Sequence, residues 1–141
     1  MKLVTFDKQP GTRIGVWTDA GILDLSTCGV ALPGDMLSLI EMGERGMELV
    51  REAVSKGGTV ISADGVHLRQ PIIRPPKILA IALNYAEHVA ESATQKPAVQ
   101  MWFNKQSTCA VGPYDPIALP VVSDKLDYEG ELGVVIGKRC R

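Results

Sequence analysis

The stretch Leu126-Asp127-Tyr128-Glu129-Gly130-Glu131-Leu132-Gly133-Val134-Val135-Ile136-Gly137 decides how the chain is read. Its alternating apolar residues predict a β-strand, in which side chains at i and i+2 share a face. Glu129 and Glu131 then converge on one side, while Tyr128, Leu132, Val134 and Ile136 are free to bury the other. Two like charges held side by side in a half-buried place call for a cation. Carboxylate oxygens are hard donors that suit Mg²⁺, Mn²⁺ or Ca²⁺, and no Cys or His lies beside them to suggest zinc. Strand parity puts Asp127 on the same face as a third candidate, and Gly133 and Gly137 keep that face free of bulk. The alternative is an amphipathic strand whose acidic face is merely solvated.

Upstream, Asn84-Tyr85-Ala86-Glu87-His88-Val89-Ala90-Glu91 sets His88 and Glu91 three residues apart, neighbours if the piece is helical. A carboxylate beside an imidazole orients it, raises its basicity and stabilises its protonated form, so the pair can take a proton from water. Spacing alone favours an exposed surface pair, and Glu87 is expected to face elsewhere. Lys105, in Phe103-Asn104-Lys105, follows an apolar strand candidate. It is either a solvated lysine or, beside a metal and an anionic substrate, a group that binds a carboxylate or enolate. His67 sits in a polar stretch and receives no role.

The chain has 141 residues, 45% of them hydrophobic, enough for one ordinary domain or two small ones and too apolar for disorder. A net charge of −1 implies no basic face, so neither nucleic acid nor an anionic membrane is expected as a partner. No apolar run approaches a membrane span, and Asp7 arrives too early for the apolar core of a signal peptide. Cys28, Cys109 and Cys140 are odd in number and far apart, with neither zinc spacing nor a disulfide framework; a reducing cytoplasm is the expected compartment.

Lys2 to Phe6, Arg13 to Thr18 and Ile22 to Leu25 read as a β-meander turned at Gln9-Pro10-Gly11 and Asp19-Ala20-Gly21. Asp35 is placed to cap a helical stretch, Gly43 and Gly46 weaken its middle so that one helix or two fit, and Gly57-Gly58 ends it. Pro71, Pro75 and Pro76 mark a stiff boundary. Beyond it come a strand over Lys77 to Leu83, a short helix over Ala86 to Ser92, a strand over Val99 to Phe103, a turn over Gly112 to Pro116 and a short β stretch at Ile117 to Leu119. The expected fold class is α+β: a small N-terminal α/β-meander domain (residues 1–70), then a second domain (residues 71–141).

Taken in order, these pieces resemble the fumarylacetoacetate hydrolase family from about Arg74 to Arg141. Lys77 to Tyr85 resembles its opening strand and His88 with Glu91 its H-x-x-E. Phe103-Asn104-Lys105 resembles its F-x-K, Gly112-Pro113 with Pro116-Ile117 the turn that follows, and Asp127 to Leu132 its D-Y-E-x-E-L. By the same resemblance, the N-terminal domain would match the variable small domain that often precedes the catalytic one. The resemblance implies a mostly β catalytic roll of packed sheets around a divalent metal, Mg²⁺ or else Mn²⁺ or Ca²⁺, and a homodimer. Glu129 and Glu131 would ligate the metal, His88 and Glu91 would position and activate water, and Lys105 would lie near the substrate. It leaves Asp127 out of the ligand set, against strand parity. The implied function is metal-dependent hydrolysis of a C–C bond in a small acidic β-dicarbonyl compound such as an acylpyruvate. Decarboxylation and isomerisation need the same residues, and a non-catalytic remnant or dimerisation module is the reading from another class. The family's further aspartate ligand comes after the E-x-E strand and is not in this sequence, so the chain is expected to be part of a longer enzyme, weak alone in metal binding and turnover.

Overall fold

The computed structural model describes residues 1–140. The fold is α+β, and the chain divides into two compact units. One comprises residues 1–72 together with the chain from Val111 onward; the other comprises residues 73–110. The first division falls within the proline-marked stretch. The second was not legible in the sequence: the residues after Ala110 return to the first unit.

The first unit is built on an antiparallel sheet of β1 (Lys2–Asp7), β2 (Thr12–Thr18), β3 (Gly21–Asp24), β4 (Val60–Ile61) and β5 (Leu68–Arg69), in the order β4-β3-β2-β1-β5. The three central strands are the expected meander. Gly21 ends the β2–β3 turn at φ +127°, and a Cβ there would lie 2.3 Å from the Ile61 carbonyl oxygen, so both the turn and the approach of β4 require glycine. The edge strands β4 and β5 escaped the sequence reading because two residues carry no periodicity.

Two helices cover one face of this sheet: α1 (Met36–Glu41) and α2 (Glu44–Lys56). Asp35 caps α1, its carboxylate accepting from the Ser38 amide at 2.9 Å and the Ser38 hydroxyl at 2.7 Å. Gly43, at φ +59°, breaks the run into two helices. On α2 the buried positions are Gly46, Leu49, Val50 and Ala53, the spacing of one helical stripe. Ile14, Val16 and Leu23 of the sheet pack with Leu25, Met36, Leu39, Val50 and Ala53 into one core.

Asp24, fully buried at the end of β3, is held by Arg13 Nη1 at 2.9 Å, by Lys8 Nζ at 3.6 Å, and by the Ser26 amide and hydroxyl at 3.1 and 2.6 Å. Burial pushes its carboxyl pKa up, but the Ser26 and Arg13 hydrogen bonds outweigh burial and hold it below the ordinary 3.8. This contribution to stability is therefore present above the ordinary carboxylate value and lost as pH falls through the lower folded value. Asp24→Ala should cost about 1.5–3 kcal/mol, the range for hydrogen bonds to a charged group. The Arg13 side chain is still 31% exposed, which spares the larger penalty of an unpaired buried charge. Urea unfolding at neutral pH measures this loss, and the gap between the two proteins should narrow in acid.

The second unit is a hairpin of β6 (Ile78–Ala82) and β7 (Met101–Lys105), paired from Ile78 with Lys105 to Ala82 with Met101, with α3 (Ala86–Glu91) between them in sequence. All three elements lie within two residues of their expected ends. Leu83 leaves β6 at φ +54°, a left-handed conformation unusual for a branched side chain, and this bend turns the chain toward α3.

The strand expected over residues 126–137 is not formed, nor is the β stretch at Ile117 to Leu119. A strand exists only as the hydrogen-bonded partner of another, and neither sheet among the described residues includes this segment. Its apolar alternation remains uncovered, with Leu132 82% and Val134 74% exposed.

Candidate functional site

In the second unit, α3 carries His88 and Glu91 one turn apart, as the helical spacing requires. Both side chains are exposed and therefore reachable by a reactant. The helix is held through its backbone, the Val89 amide donating to the Tyr85 carbonyl at 3.1 Å and the Ser92 amide to the His88 carbonyl at 3.0 Å. The side chains of the pair are thus not needed to keep the helix. Glu87 lies about 100° around the helix from His88.

Lys105 is the last residue of β7, its Nζ 5.9 Å from the centre of the Phe103 ring, the outer limit of a cation–π contact. Its backbone is opposite Ile78, at the start of β6, whereas α3 follows Ala82 at the far end of that strand. Four strand steps, about 13 Å, separate those two ends. The hairpin therefore does not set the lysine backbone beside the histidine helix.

Glu129 and Glu131 belong to the first unit, where both are exposed and outside any strand. Among the described residues neither takes part in an ion pair, and the Cβ positions of Gly130 and Gly133 face open space. Their carboxylate oxygens are hard donors of the kind that Mg²⁺ and Mn²⁺ take. Among the described residues no three His, Cys, Asp or Glu side chains gather as a full metal cage. Asp127 is likewise exposed; its carboxylate accepts from the Tyr128 amide at 2.8 Å.

The residue that sequence reasoning missed is His67. Its Nδ1 lies 2.7 Å from Asp7 Oδ2 and its Nε2 2.5 Å from Asp115 Oδ1. These partners are 60 and 48 residues away in the chain, so no local signal could have found them. A groove of about 330 Å³ runs nearby, lined by Leu3, Thr5, Leu68, Arg69, Gln70 and Val111 among others, and includes none of the expected catalytic residues. Among the described residues no helix is long and apolar enough to cross a membrane.

The α+β fold carries an H-x-x-E helix, an F-x-K strand end and an E-x-E segment in that order, and comparison with known proteins identifies its family. The profile of the family described as fumarylacetoacetate (FAA) hydrolase C-terminal matches residues 77–141, and the chain belongs to the fumarylacetoacetate hydrolase family. It is 36% identical to "Oxaloacetate tautomerase fahd2, mitochondrial" of Xenopus laevis, over 99% of this chain and 45% of that protein. The same identity holds for "Oxaloacetate tautomerase Fahd2a, mitochondrial" of Rattus norvegicus, over 99% of this chain and 46% of that protein. The crystal structure of maleylpyruvate hydrolase from Sphingobium sp. SYK-6, in complex with manganese(II) ion and pyruvate, superposes with a TM-score of 0.65 at 28% identity, covering 86% of this chain and 43% of that one. The chain spans about half the length of the curated relatives it matches.

Proposed function

We propose that this protein contributes to a metal-dependent enzyme that moves a proton on a small acidic dicarbonyl compound, interconverting its keto and enol forms. One observation carries this reading: proteins 36% identical over nearly the whole chain are named oxaloacetate tautomerases. C–C hydrolysis, the function first expected, becomes the second reading, favoured by the likeness to a maleylpyruvate hydrolase at 28% identity. The two readings share a substrate class, an enolisable 2-oxo acid bearing a second acidic or carbonyl group.

In this reading Glu129 and Glu131 hold a divalent cation, Mg²⁺ or Mn²⁺, which when bound supplies Lewis acidity toward the substrate oxygens. The His88 imidazole accepts a proton at one ring nitrogen, from the substrate carbon in tautomerisation or from water in hydrolysis, and Glu91 steadies the imidazolium. Tautomerisation returns that proton to the enol oxygen, so nothing is consumed. Lys105 binds a substrate carboxylate through its ammonium group. The proposed assembly is a homodimer in a reducing compartment; the resemblance supports the dimer, and three free cysteines support the compartment.

With Mn²⁺ present, the chain should accelerate decay of the enol absorbance of freshly dissolved oxaloacetate while releasing no pyruvate from an acylpyruvate. Pyruvate release would select the hydrolase reading instead. If neither reaction exceeds the Mn²⁺ blank, both readings fall for this chain.

A further inference from the structure

His67 lies outside the proposed catalytic residues, yet both its ring nitrogens are engaged. A neutral imidazole has one N–H, so one of its two carboxylate contacts would set a lone pair against an anionic oxygen. Only the imidazolium donates to Asp7 and Asp115 together. Among the described residues, the other charged group facing this cluster is Arg69 on β5, with Nη1 3.7 Å from Asp7 Oδ2. It stays cationic throughout the range in which a histidine titrates.

The two contacts are not mechanically equivalent. The Asp7 amide donates to the His67 carbonyl at 2.9 Å, so β1 fixes the histidine backbone and the Asp7 side of the cluster. Asp115 comes from a separate turn, closed on itself by the Asp115 amide donating to the Gly112 carbonyl at 3.1 Å and the Gly112 amide donating to Asp115 Oδ2 at 2.7 Å. That turn is seated closely on β5: Gly112 is buried, and a Cβ on it would lie 2.5 Å from the Leu68 carbonyl oxygen. One carboxylate thus braces the turn through one oxygen and meets the histidine through the other.

We propose that His67 is a proton-operated latch. Its imidazolium clasps Asp7 and Asp115 and holds the turn of residues 112–115 on edge strand β5; losing the proton opens the Asp115 side. The segment seated by this latch continues toward Glu129 and Glu131. The charge balance agrees with the geometry: the hydrogen bonds His67 donates to Asp115 and then to Asp7 raise its pKa above the ordinary 6.5. The Asp115 carboxyl is held low by His67 first and the Gly112 amide second. A raised histidine value means the clasp is complete below the ordinary pKa and is lost as pH rises through the folded one.

The test follows the His67 ring proton by NMR in the full chain from about pH 5.5 to 9, together with hydrogen-exchange protection of the Gly112 amide, corrected for intrinsic exchange. The wild-type midpoint should lie above 6.5, and Gly112 protection should fall about tenfold across it. Asp115→Asn and Asp7→Asn should each lower the midpoint, while His67→Gln should leave Gly112 at its open level at every pH. Should His67→Gln not fold, the asparagine variants decide alone, since either one leaving the midpoint unmoved overturns the latch. So does wild-type Gly112 protection that does not change with pH, or a step that survives in His67→Gln.

Discussion

Replacing Glu129 and Glu131 together by alanine is expected to abolish Mn²⁺ binding by the chain while leaving its melting temperature unchanged. The two halves of this expectation have separate physical grounds. Both carboxylates are exposed and neither takes part in an ion pair among the described residues, so their removal costs the fold little, within about 0.5 kcal/mol. For the cation, hard oxygen donors are the whole attraction, and two of them already make a weak site, with a Kd on the order of 10⁻⁴–10⁻³ M. Each single substitution should weaken binding by at least 10-fold, roughly the lower end of what disturbing even an outer partner of a ligand costs. Asp127→Ala should leave affinity unchanged, which separates the family pattern from bare strand parity. Electron paramagnetic resonance of free Mn²⁺ gives the isotherm directly. Undiminished binding in the double variant would move the metal away from the E-x-E segment.

His88→Ala is expected to lower the Mn²⁺-dependent turnover by roughly 10²–10⁴-fold, the usual worth of a positioned proton-transfer group. The loss should fall on kcat rather than KM if the imidazole acts on the proton in flight and not on substrate binding. Glu91→Gln should cost less, because it removes the group that steadies the imidazolium while sparing the imidazole. Glu87→Gln is the internal control: it has the same charge and helix but faces a different direction, and it should leave turnover intact. None of the three substitutions touches the backbone bonds that hold α3, so circular dichroism should be unchanged. An equal loss at Glu87 would show that helix charge, and not the histidine pair, carries the activity.

The elements legible in the sequence were those whose stabilisation is local. The meander strands, the Asp35 cap and the short helix α3 each depend on residues a few positions apart, and the structure forms them where turn and cap chemistry put them; Gly43 and Gly46 left one helix or two open, and the structure breaks at Gly43 while Gly46 lies within α2. The H-x-x-E pair is local in the same sense, since one helical turn supplies its geometry. The 126–137 segment marks the limit of such reading. Alternation states which residues would share a face, but a strand needs a second backbone, and the sequence does not say which one. Glu129 and Glu131 are therefore proposed as a donor pair on their chemistry and on the likeness to the family pattern, and not on a sheet that holds them.

By itself the sequence showed the fold class through short-range patterning and the family through ordered motifs that resemble it, and on that resemblance it nominated the residues of the proposed chemistry. Only the tertiary structure revealed the buried Asp24 cluster, the return of the chain after Ala110 to the first unit, and the grip of Asp7 and Asp115 on His67. These depend on side chains brought together across tens of residues. Charge and hydrogen-bonding distance set their strength, and neither can be counted along the chain.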